Sequence, residues 1–214
     1  MVTRCLALVM LLAVPGLRAQ ESPAASDLAQ RVQARYATVR DFTAEFTLTQ
    51  TSALLPRPVV ERGELKVKKP GRMRWTYATG DKKVFVSDGS RFYSWFPQDR
   101  FVDERPLPTG TDTSTALLFL AGRVNLARDF VPGVPATHPA GEWQLILRPK
   151  TAEADFKSLT LEVDRASLAL RGFTVVDEQD AVSKFRLAKL QENRNLPDSE
   201  FVFTMPKGVE IRRQ

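Results

Sequence analysis

The side chains that most often perform catalysis are scarce in this sequence. His138 is the only histidine and Cys5 the only cysteine among 214 residues. Cys5 lies in an N-terminal apolar stretch that we expect to be removed, and His138 stands between Thr137 and Pro139 in a predicted loop. A zinc site or a Cys/His nucleophile needs a thiol or a second imidazole, so both are excluded. We interpret His138 as a solvated loop residue.

Paired carboxylates are the other candidates for acid–base chemistry. Asp103–Glu104 and Asp177–Glu178 are adjacent in sequence, and adjacent side chains on a strand point to opposite faces. Neither pair can therefore share a substrate. The sequence also lacks the G-x-S-x-G, H-E-x-x-H and glycine-rich phosphate-binding motifs. We predict no metal, no cofactor and no catalytic residue, and expect a binding protein rather than an enzyme.

Residues 1–19 have the features of a secretory signal peptide. Arg4 precedes an apolar run of ten residues from Cys5 to Val14, which is too short to span a bilayer, and a Pro–Gly break follows. The bulky Leu17 leaves a later cut, up to about residue 25, as an alternative, and an uncleaved anchor is a second one. We expect export to the periplasm and cleavage of this segment.

The exported chain is predicted to be one domain over residues 26–214. Its formal net charge is +6 for the whole sequence, and removing Arg4 and Arg18 gives 6 − 2 = +4. An exported protein rarely meets nucleic acid, so this mild excess favours an anionic membrane or an acidic partner. With no cysteine left, packing alone must stabilise the fold, which a domain of this size allows.

Two periodicities predict the secondary structure. Leu28, Val32, Tyr36 and Val39 recur at helical spacing, which predicts an amphipathic helix, and Asp27 with the residue three positions on resembles a capping box. From residue 42 the period changes to two. About eleven short strands follow, separated by turn signals every eight to twelve residues and ending with "EFVFTMP" at 200–206. This pattern predicts an antiparallel meander that curls around an apolar side.

The strand "RMRWTY" shows the alternation most clearly. Met73, Trp75 and Tyr77 share one face, and Arg72 and Arg74 share the other. Between the strands, the apolar block 116–121 predicts a helix with no polar side, and "VNLARDF" predicts a further helical turn. This helix is interpreted either as a cover over a cavity or as a plug in an ordinary core.

The order of motifs resembles a known family. "FTAEFTLTQ", "GELKVKKPGRMRWTY", "VFVSDGSRFYSWFP", the apolar block and "FVFTMPKGVEI" together resemble the LolA family of periplasmic outer-membrane lipoprotein carriers over roughly residues 27–211. The resemblance implies a mainly β fold, an incomplete antiparallel β-barrel covered by an α-helical lid. It implies a monomer whose cargo is acylated lipoproteins. They would come from an ABC-type releasing complex in the inner membrane and go to an acceptor in the outer membrane.

The resemblance and the alternation together predict three groups of site residues. The predicted lipid-binding cavity is lined by Phe46, Leu65, Val67, Met73, Trp75, Tyr77, Tyr93, Trp95, Leu117, Leu118, Leu120, Trp143 and Leu145. Phe92 and Phe96 are the alternative to Tyr93 and Trp95. Lys69 occupies the position of an arginine that closes the lid in the family. Lys66, Lys68, Arg72 and Arg74 are predicted to form a basic rim that faces a partner, with a solvated strand face as the alternative.

Other functions remain open at this point. A periplasmic lipid-binding or lipid-sensing protein of the same fold is the nearest alternative. The outer-membrane acceptor is disfavoured because no cysteine follows the leader. A lipid-processing enzyme without a recognisable motif and a β-scaffold with a filled core are the remaining alternatives.

Overall fold

The computed structural model describes residues 24–107, 122, 124–151 and 156–213. The described helices are α1 (Ala25–Ala37) and the four-residue α2 (Leu126–Asp129), and a 3-10 turn covers Asp198–Phe201. The strands are β1 (Asp41–Thr51), β2 (Val59–Lys68), β3 (Arg72–Tyr77), β4 (Val84–Asp88), β5 (Arg91–Phe96), β6 (Phe101–Pro106), β7 (Phe130–Gly133), β8 (Glu142–Pro149), β9 (Phe156–Asp164), β10 (Leu170–Asp177), β11 (Val182–Glu192) and β12 (Glu210–Arg213).

All twelve strands belong to one open sheet. Their order is β12-β6-β5-β4-β3-β2-β1-β11-β10-β9-β8-β7, and every pair is antiparallel except β12 with β6. The predicted incomplete antiparallel barrel is therefore confirmed, with twelve strands where about eleven were expected. Two strands, the short β7 and the last strand β12, were not predicted. One predicted strand, "EFVFTMP", is absent, because it forms a 3-10 turn and irregular chain.

One side of the sheet carries the apolar residues. In β1, Phe42, Ala44, Phe46 and Leu48 are buried while the residues between them are not. The register places the alternating apolar residues of β2, β3, β8, β9 and β10 on the same side, which we call the inner face. The alternation was the decisive sequence signal, since a strand with one buried face must alternate.

Helix α1 packs on this inner face. Its apolar stripe, Leu28, Ala29, Val32 and Tyr36, is buried as predicted, and the helix contacts β7, β8 and α2. The predicted capping box is wrong. The helix begins before Asp27, which lies in the first turn and forms an i,i+4 ion pair with Arg31 at 3.6 Å. An acidic residue there suits the positive end of the helix dipole.

The C-terminal strap, which we define as residues 196–203, crosses the opposite, outer face of the sheet. It leaves β11, which neighbours β1, and its 3-10 turn packs on β3 and β4 before the chain reaches the edge strand β12 beside β6. Phe201 is 1% exposed, and the outer-face residues Val86 and Val102 are completely buried. The outer face of these strands therefore has an apolar layer of its own.

Two predicted features lie outside the described residues. These are the signal peptide, residues 1–19, and the apolar block 116–121 with its three predicted cavity residues Leu117, Leu118 and Leu120. Among the helices that the structure describes, none is long and apolar enough to cross a membrane.

Candidate functional site

A continuous row of aromatic rings runs across the inner face. Its members come from seven strands. We call it the aromatic row, and it consists of Phe101, Phe96, Phe92, Phe85, Tyr77, Trp75, Phe46, Phe185 and Phe173. Neighbouring ring centroids are 4.5 to 6.4 Å apart, the range in which aromatic pairs attract beyond their area burial. The sheet thus presents an unbroken apolar strip across its concave side.

The centre of the row depends on a glycine. Phe46 contacts Trp75 at 5.1 Å and Tyr77 at 4.9 Å between ring centroids, and its ring lies over Gly63 of β2. A Cβ atom on Gly63 would lie 2.7 Å from the Phe46 ring and 2.1 Å from the carbonyl oxygen of Thr76. Only a residue without a side chain leaves room for this ring.

The other half of the inner face is aliphatic. Leu145, Leu147, Leu159, Leu161 and Val163 of β8 and β9 are each at most 1% exposed. They share one cluster with the buried stripe of α1. This half is closed by a helix in the described structure, whereas several members of the aromatic row remain half-buried.

Most of the predicted cavity residues lie together on the inner face. Phe46, Leu65, Val67, Met73, Trp75, Tyr77, Trp143 and Leu145 are all buried members of one apolar cluster. They lie together because the register opposes Val67 to Met73 and Leu65 to Trp75 across β2 and β3.

Tyr93 and Trp95 are a correction. The register opposes Trp75 to Phe85 and Phe85 to Ser94, so Ser94 and its neighbours two residues away share the inner face. Phe92 and Phe96 are these neighbours. Tyr93 and Trp95 therefore lie on the outer face, where Tyr93 stacks on Phe203 of the strap at 4.9 Å.

Lys69 lies between α1 and Gly122. Its Nζ donates a hydrogen bond to the carbonyl oxygen of Tyr36 in the last turn of α1 and lies 3.4 Å from the centre of the Tyr36 ring. Its carbon stem passes Gly122, where an added Cβ would lie 2.8 Å from Lys69 Cδ. Burial lowers the pKa of the Lys69 amine to about 8, against the opposing charge of Glu192. The contact described for Lys69 is thus with α1, whereas the predicted lid, the apolar block 116–121, lies outside the described residues, so closure of that lid by Lys69 stays a prediction.

The predicted basic rim is also a correction. Lys66 lies 2.9 Å from Glu200, Lys68 2.5 Å from Asp198 and Arg72 3.5 Å from Asp198. Arg74 donates from Nε to the carbonyl oxygen of Glu200 at 2.6 Å. The four cations lie on one face as predicted, but their partner is the protein's own strap.

Buried polar groups are few on the inner face and mostly paired. The Glu61 carboxylate, on a residue that is 5% exposed, lies 3.0 Å from Lys83 Nζ, which in turn lies 4.7 Å above the Tyr77 ring. Burial, with the Glu61 charge as a second cause, raises the pKa of the Tyr77 phenol, which stays neutral. Trp75 Nε1 is the exception. Among buried side-chain nitrogen and oxygen atoms in the described ranges, it alone has no hydrogen-bond partner.

The described residues offer little for catalysis or metal binding. No group of three His, Cys, Asp or Glu side chains within residues 24–107, 122, 124–151 and 156–213 could hold a metal ion. The His138 ring packs against Trp143, with centroids 4.7 Å apart. The aromatic rings and aliphatic side chains of the inner face form a surface suited to contact with an apolar molecule.

Comparison with known proteins identifies the family. The family model described as outer membrane lipoprotein carrier protein LolA matches residues 37–204. This chain belongs to the LolA family. A relative from Sodalis glossinidius, named outer-membrane lipoprotein carrier protein, is 31% identical over 195 residues, 90% of this chain and 91% of its own. A relative of the same name from Serratia proteamaculans is 29% identical over 189 residues, 88% of this chain and 89% of its own.

A solved structure supports the architecture. An uncharacterized conserved protein from Thermus thermophilus superposes with a TM-score of 0.54 at 13% identity, over 89% of this chain and 99% of that one. At this sequence identity the likeness shows only that the two proteins share a fold.

The aromatic row contains residues that the sequence analysis missed. Phe85, Phe101, Phe173 and Phe185 line the inner face but were not predicted to do so, and Phe92 and Phe96 were only the alternative to Tyr93 and Trp95. The signal was present in part. The Asp88–Gly89–Ser90 turn joins β4 to β5, and turn length fixes which residues face each other in a hairpin.

Proposed function

We propose that this protein carries acylated lipoproteins through the periplasm, with their acyl chains held on the inner face. The observation that carries the proposal is the aromatic row on an unclosed sheet. Its curved apolar side is wide, and neither edge strand, β7 or β12, pairs with the other. On this proposal the donor is an ABC-type releasing complex of the inner membrane, the recipient is an outer-membrane acceptor, and residues 1–19 direct export.

The energetics explain why a carrier is needed. Burial is worth ~0.8 kcal/mol for each methylene, so three acyl chains of about 16 carbons would cost tens of kcal/mol in water. Apolar area alone can offset this cost, so no catalytic group is required. We therefore propose a binding protein rather than an enzyme.

Cargo must displace the present cover of the inner face. Met73 is 1% exposed and Trp75 3% exposed, so the centre of the row is closed in this state. Helix α1 covers the aliphatic half of the inner face, where it contacts β7 and β8. Contacts between apolar groups are not directional, so α1 and an acyl chain can compete for that half. This competition gives a route to release, because the cover returns when the cargo leaves.

Polar contacts fasten α1 mainly at its C-terminal end. Arg35 forms an ion pair with Glu192, Lys69 bonds to the Tyr36 carbonyl, and Asn193 donates to the Thr38 carbonyl at 3.2 Å. The buried residues Leu28 and Ala29, nearer the N-terminus, contribute apolar contacts. We propose that α1 pivots about its C-terminal end when cargo enters and that Lys69 favours the closed position.

Trp75 supplies the one unpaired donor inside this apolar surface, among the residues that the structure describes. An unpaired buried N–H costs ~1–3 kcal/mol, and the ester carbonyl of an acylglycerol group would satisfy it. Trp75 Nε1 is therefore the place on the inner face where the proposed cargo gains a hydrogen bond.

Binding of a fluorescent triacylated lipopeptide to the purified protein tests the proposal. Phe96 and Trp95 are adjacent, half-buried aromatic residues on opposite faces of β5. Phe96→Glu puts a charge beside the acyl chains and should weaken binding at least about tenfold. Trp95→Glu, the matched control, should bind within about threefold of the unmodified protein. Circular dichroism checks that both variants are folded.

Equal loss of affinity in the two variants would contradict the assignment of the cargo to the inner face. Failure of the unmodified protein to take up the lipopeptide would contradict the carrier function itself. A second measurement uses inner-membrane vesicles with ATP, and lipoprotein should leave them in soluble form with this protein.

A further inference from the structure

The turn between β1 and β2 is unusually apolar for an exposed segment. We call residues 52–60 the hairpin tip. Leu54 is 94% exposed, Leu55 38%, Val59 40% and Val60 45%. Three other large apolar residues, scattered over β7, the strap and β12, are the only further ones with comparable exposure in the described part of the chain. Single exposed apolar residues are ordinary, but four within seven positions form a patch.

The hairpin tip extends beyond its neighbours in the sheet. On one side, the pairing of β2 with β3 begins only at Gly63 opposite Tyr77, so Val59 and Val60 have no strand partner there. On the other side, β1 pairs with β11 only as far as Thr51. The tip is therefore a projection, and its apolar side chains do not belong to the inner-face core.

The turn does not require these residue types. A hydrogen bond from the Leu55 amide to the Ser52 carbonyl, at 3.2 Å, closes the turn through the backbone. Polar residues with Gly, Asn or Asp usually occupy such turns. Leucine at 54 and 55 therefore needs an explanation outside the folding of the hairpin.

We propose that the hairpin tip inserts into the surface of a lipid bilayer. The patch projects from the sheet and has four exposed apolar side chains, far fewer than the roughly 20–30 residues that each partner contributes to a stable protein interface. A deformable bilayer can accept a small convex apolar projection. The charge of this region also suits an anionic bilayer. Residues 51–60 contain no acidic residue, and Arg57 at the tip and Arg62 beside it are exposed. Arginine next to apolar residues suits the boundary between headgroups and acyl chains.

The inference rests on the proposed function in one respect. A carrier that exchanges acyl chains with membrane-bound partners gains from a short residence at the membrane, which a small apolar tip provides. The tip itself contributes nothing to the surface on which the chains are held, so membrane contact and cargo binding are separable.

Vesicle binding by the cargo-free protein tests the inference. The probe is large unilamellar vesicles of phosphatidylethanolamine and phosphatidylglycerol, with the bound fraction measured by flotation. Leu54→Ser/Leu55→Ser should weaken binding at least about tenfold. The control, Val131→Ser/Val202→Ser, removes two other exposed apolar residues, which are 52% and 59% exposed, and should bind as the unmodified protein does. All proteins share the same N-terminus, so any contribution of that segment cancels.

A reporter at the tip adds a local readout. Leu54→Trp should show a blue-shifted emission and quenching by brominated lipid when vesicles are added. An unchanged spectrum with bound protein would overturn the proposal, as would equal flotation of the two serine variants. A concentration-dependent dimer that the leucine variant abolishes, with no flotation of the unmodified protein, would also overturn it and assign the tip to a second copy.

Lipopeptide uptake measured on the same preparations separates this inference from the proposed function. The leucine variant should take up lipopeptide normally while failing to float with vesicles. Normal flotation without uptake would leave the tip proposal supported and the carrier function contradicted.

Discussion

The two faces of strands β2 to β5 are covered in different ways. On the inner face, rings and aliphatic chains meet one another, and Trp75 Nε1 has no polar partner among the described residues. On the outer face, Lys66, Lys68 and Arg74 bind the strap through ion pairs and hydrogen bonds of 2.5 to 2.9 Å. The same strands thus carry one cover held by shape and another held by directional bonds.

This difference separates a cover that cargo can replace, on the inner face, from one that stays in place, the strap on the outer face. An apolar surface accepts any apolar partner of suitable shape, so its cover can give way to an acyl chain. Charge-assisted hydrogen bonds require particular atoms at particular angles, so the strap has no comparable substitute. We infer that the outer face keeps the sheet in shape while the inner face changes its partner.

The largest expected effect comes from filling the space under Phe46. Gly63→Ala places a methyl group 2.7 Å from the Phe46 ring and 2.1 Å from the Thr76 carbonyl oxygen. The ring must leave Trp75 and Tyr77, or the two strands must separate. We expect the free energy of unfolding to fall by about 2–3 kcal/mol or more, as measured by urea denaturation.

Gly133→Ala is the matched control for this substitution. The Cβ atom there would meet its neighbours at 3.5 to 3.9 Å, which is ordinary contact. Its stability should change by less than about 0.5 kcal/mol. Equal destabilisation of both variants would mean that the inner face does not depend on this close packing.

An intermediate effect is expected when the strap loses an anchor. Arg74 donates to two carbonyl oxygens of the strap, those of Glu200 at 2.6 Å and Val202 at 2.8 Å. Arg74→Met keeps the carbon stem and removes both bonds, which should cost about 1–2 kcal/mol because the donor is charged but partly solvated. Hydrogen exchange of the amides in residues 198–203 should accelerate.

The control is Arg62→Met. Arg62 lies on β2 and shares the outer face of the sheet with Arg74. Arg62 is exposed, and the described residues give its side chain no hydrogen bond or ion pair. Strap exchange should be unchanged in this variant. Fast exchange in both would indicate that loss of charge, rather than loss of the two bonds, releases the strap.

The sequence predicted the facing of residues correctly in strands with one apolar face and failed in a strand with two. The inner positions of β3 were predicted correctly because alternation is local, and Met73, Trp75 and Tyr77 alone define the pattern. In β5 both faces are apolar, so alternation could not decide between Tyr93 and Phe92. Only the register across β4, a longer-range fact, places Phe92 on the inner face.

The strap could not be predicted for a similar reason. Lys66 and Glu200 are separated by 134 positions in the chain, and nothing local indicates that they meet. A row of cations therefore suggested an external partner, whereas the acidic partner lies near the protein's own C-terminus. The alternation of apolar and polar residues predicted the strands of the sheet well. It could not predict contacts between a strand and a distant irregular segment such as the strap.

The smallest expected effect concerns Lys69, which contacts Tyr36 of α1 through its charged amine. Its pKa is about 8 in the folded protein against an ordinary value of 10.5, because burial disfavours the charged amine. Above pH 8 and below the ordinary tyrosine pKa near 10, the unfolded chain binds more protons at this lysine, so the stability of the folded protein should rise with pH. Nearer pH 10 the buried phenols of Tyr36 and Tyr77, whose pKa is raised, act in the opposite direction. The amine is partly exposed, and we expect a rise below about 1 kcal/mol per pH unit. Lys69→Arg keeps its charge across this window, so the rise should be absent. If the arginine variant rises as the unmodified protein does, another group titrates, and the contact between Lys69 and α1 does not set the pH dependence of closure.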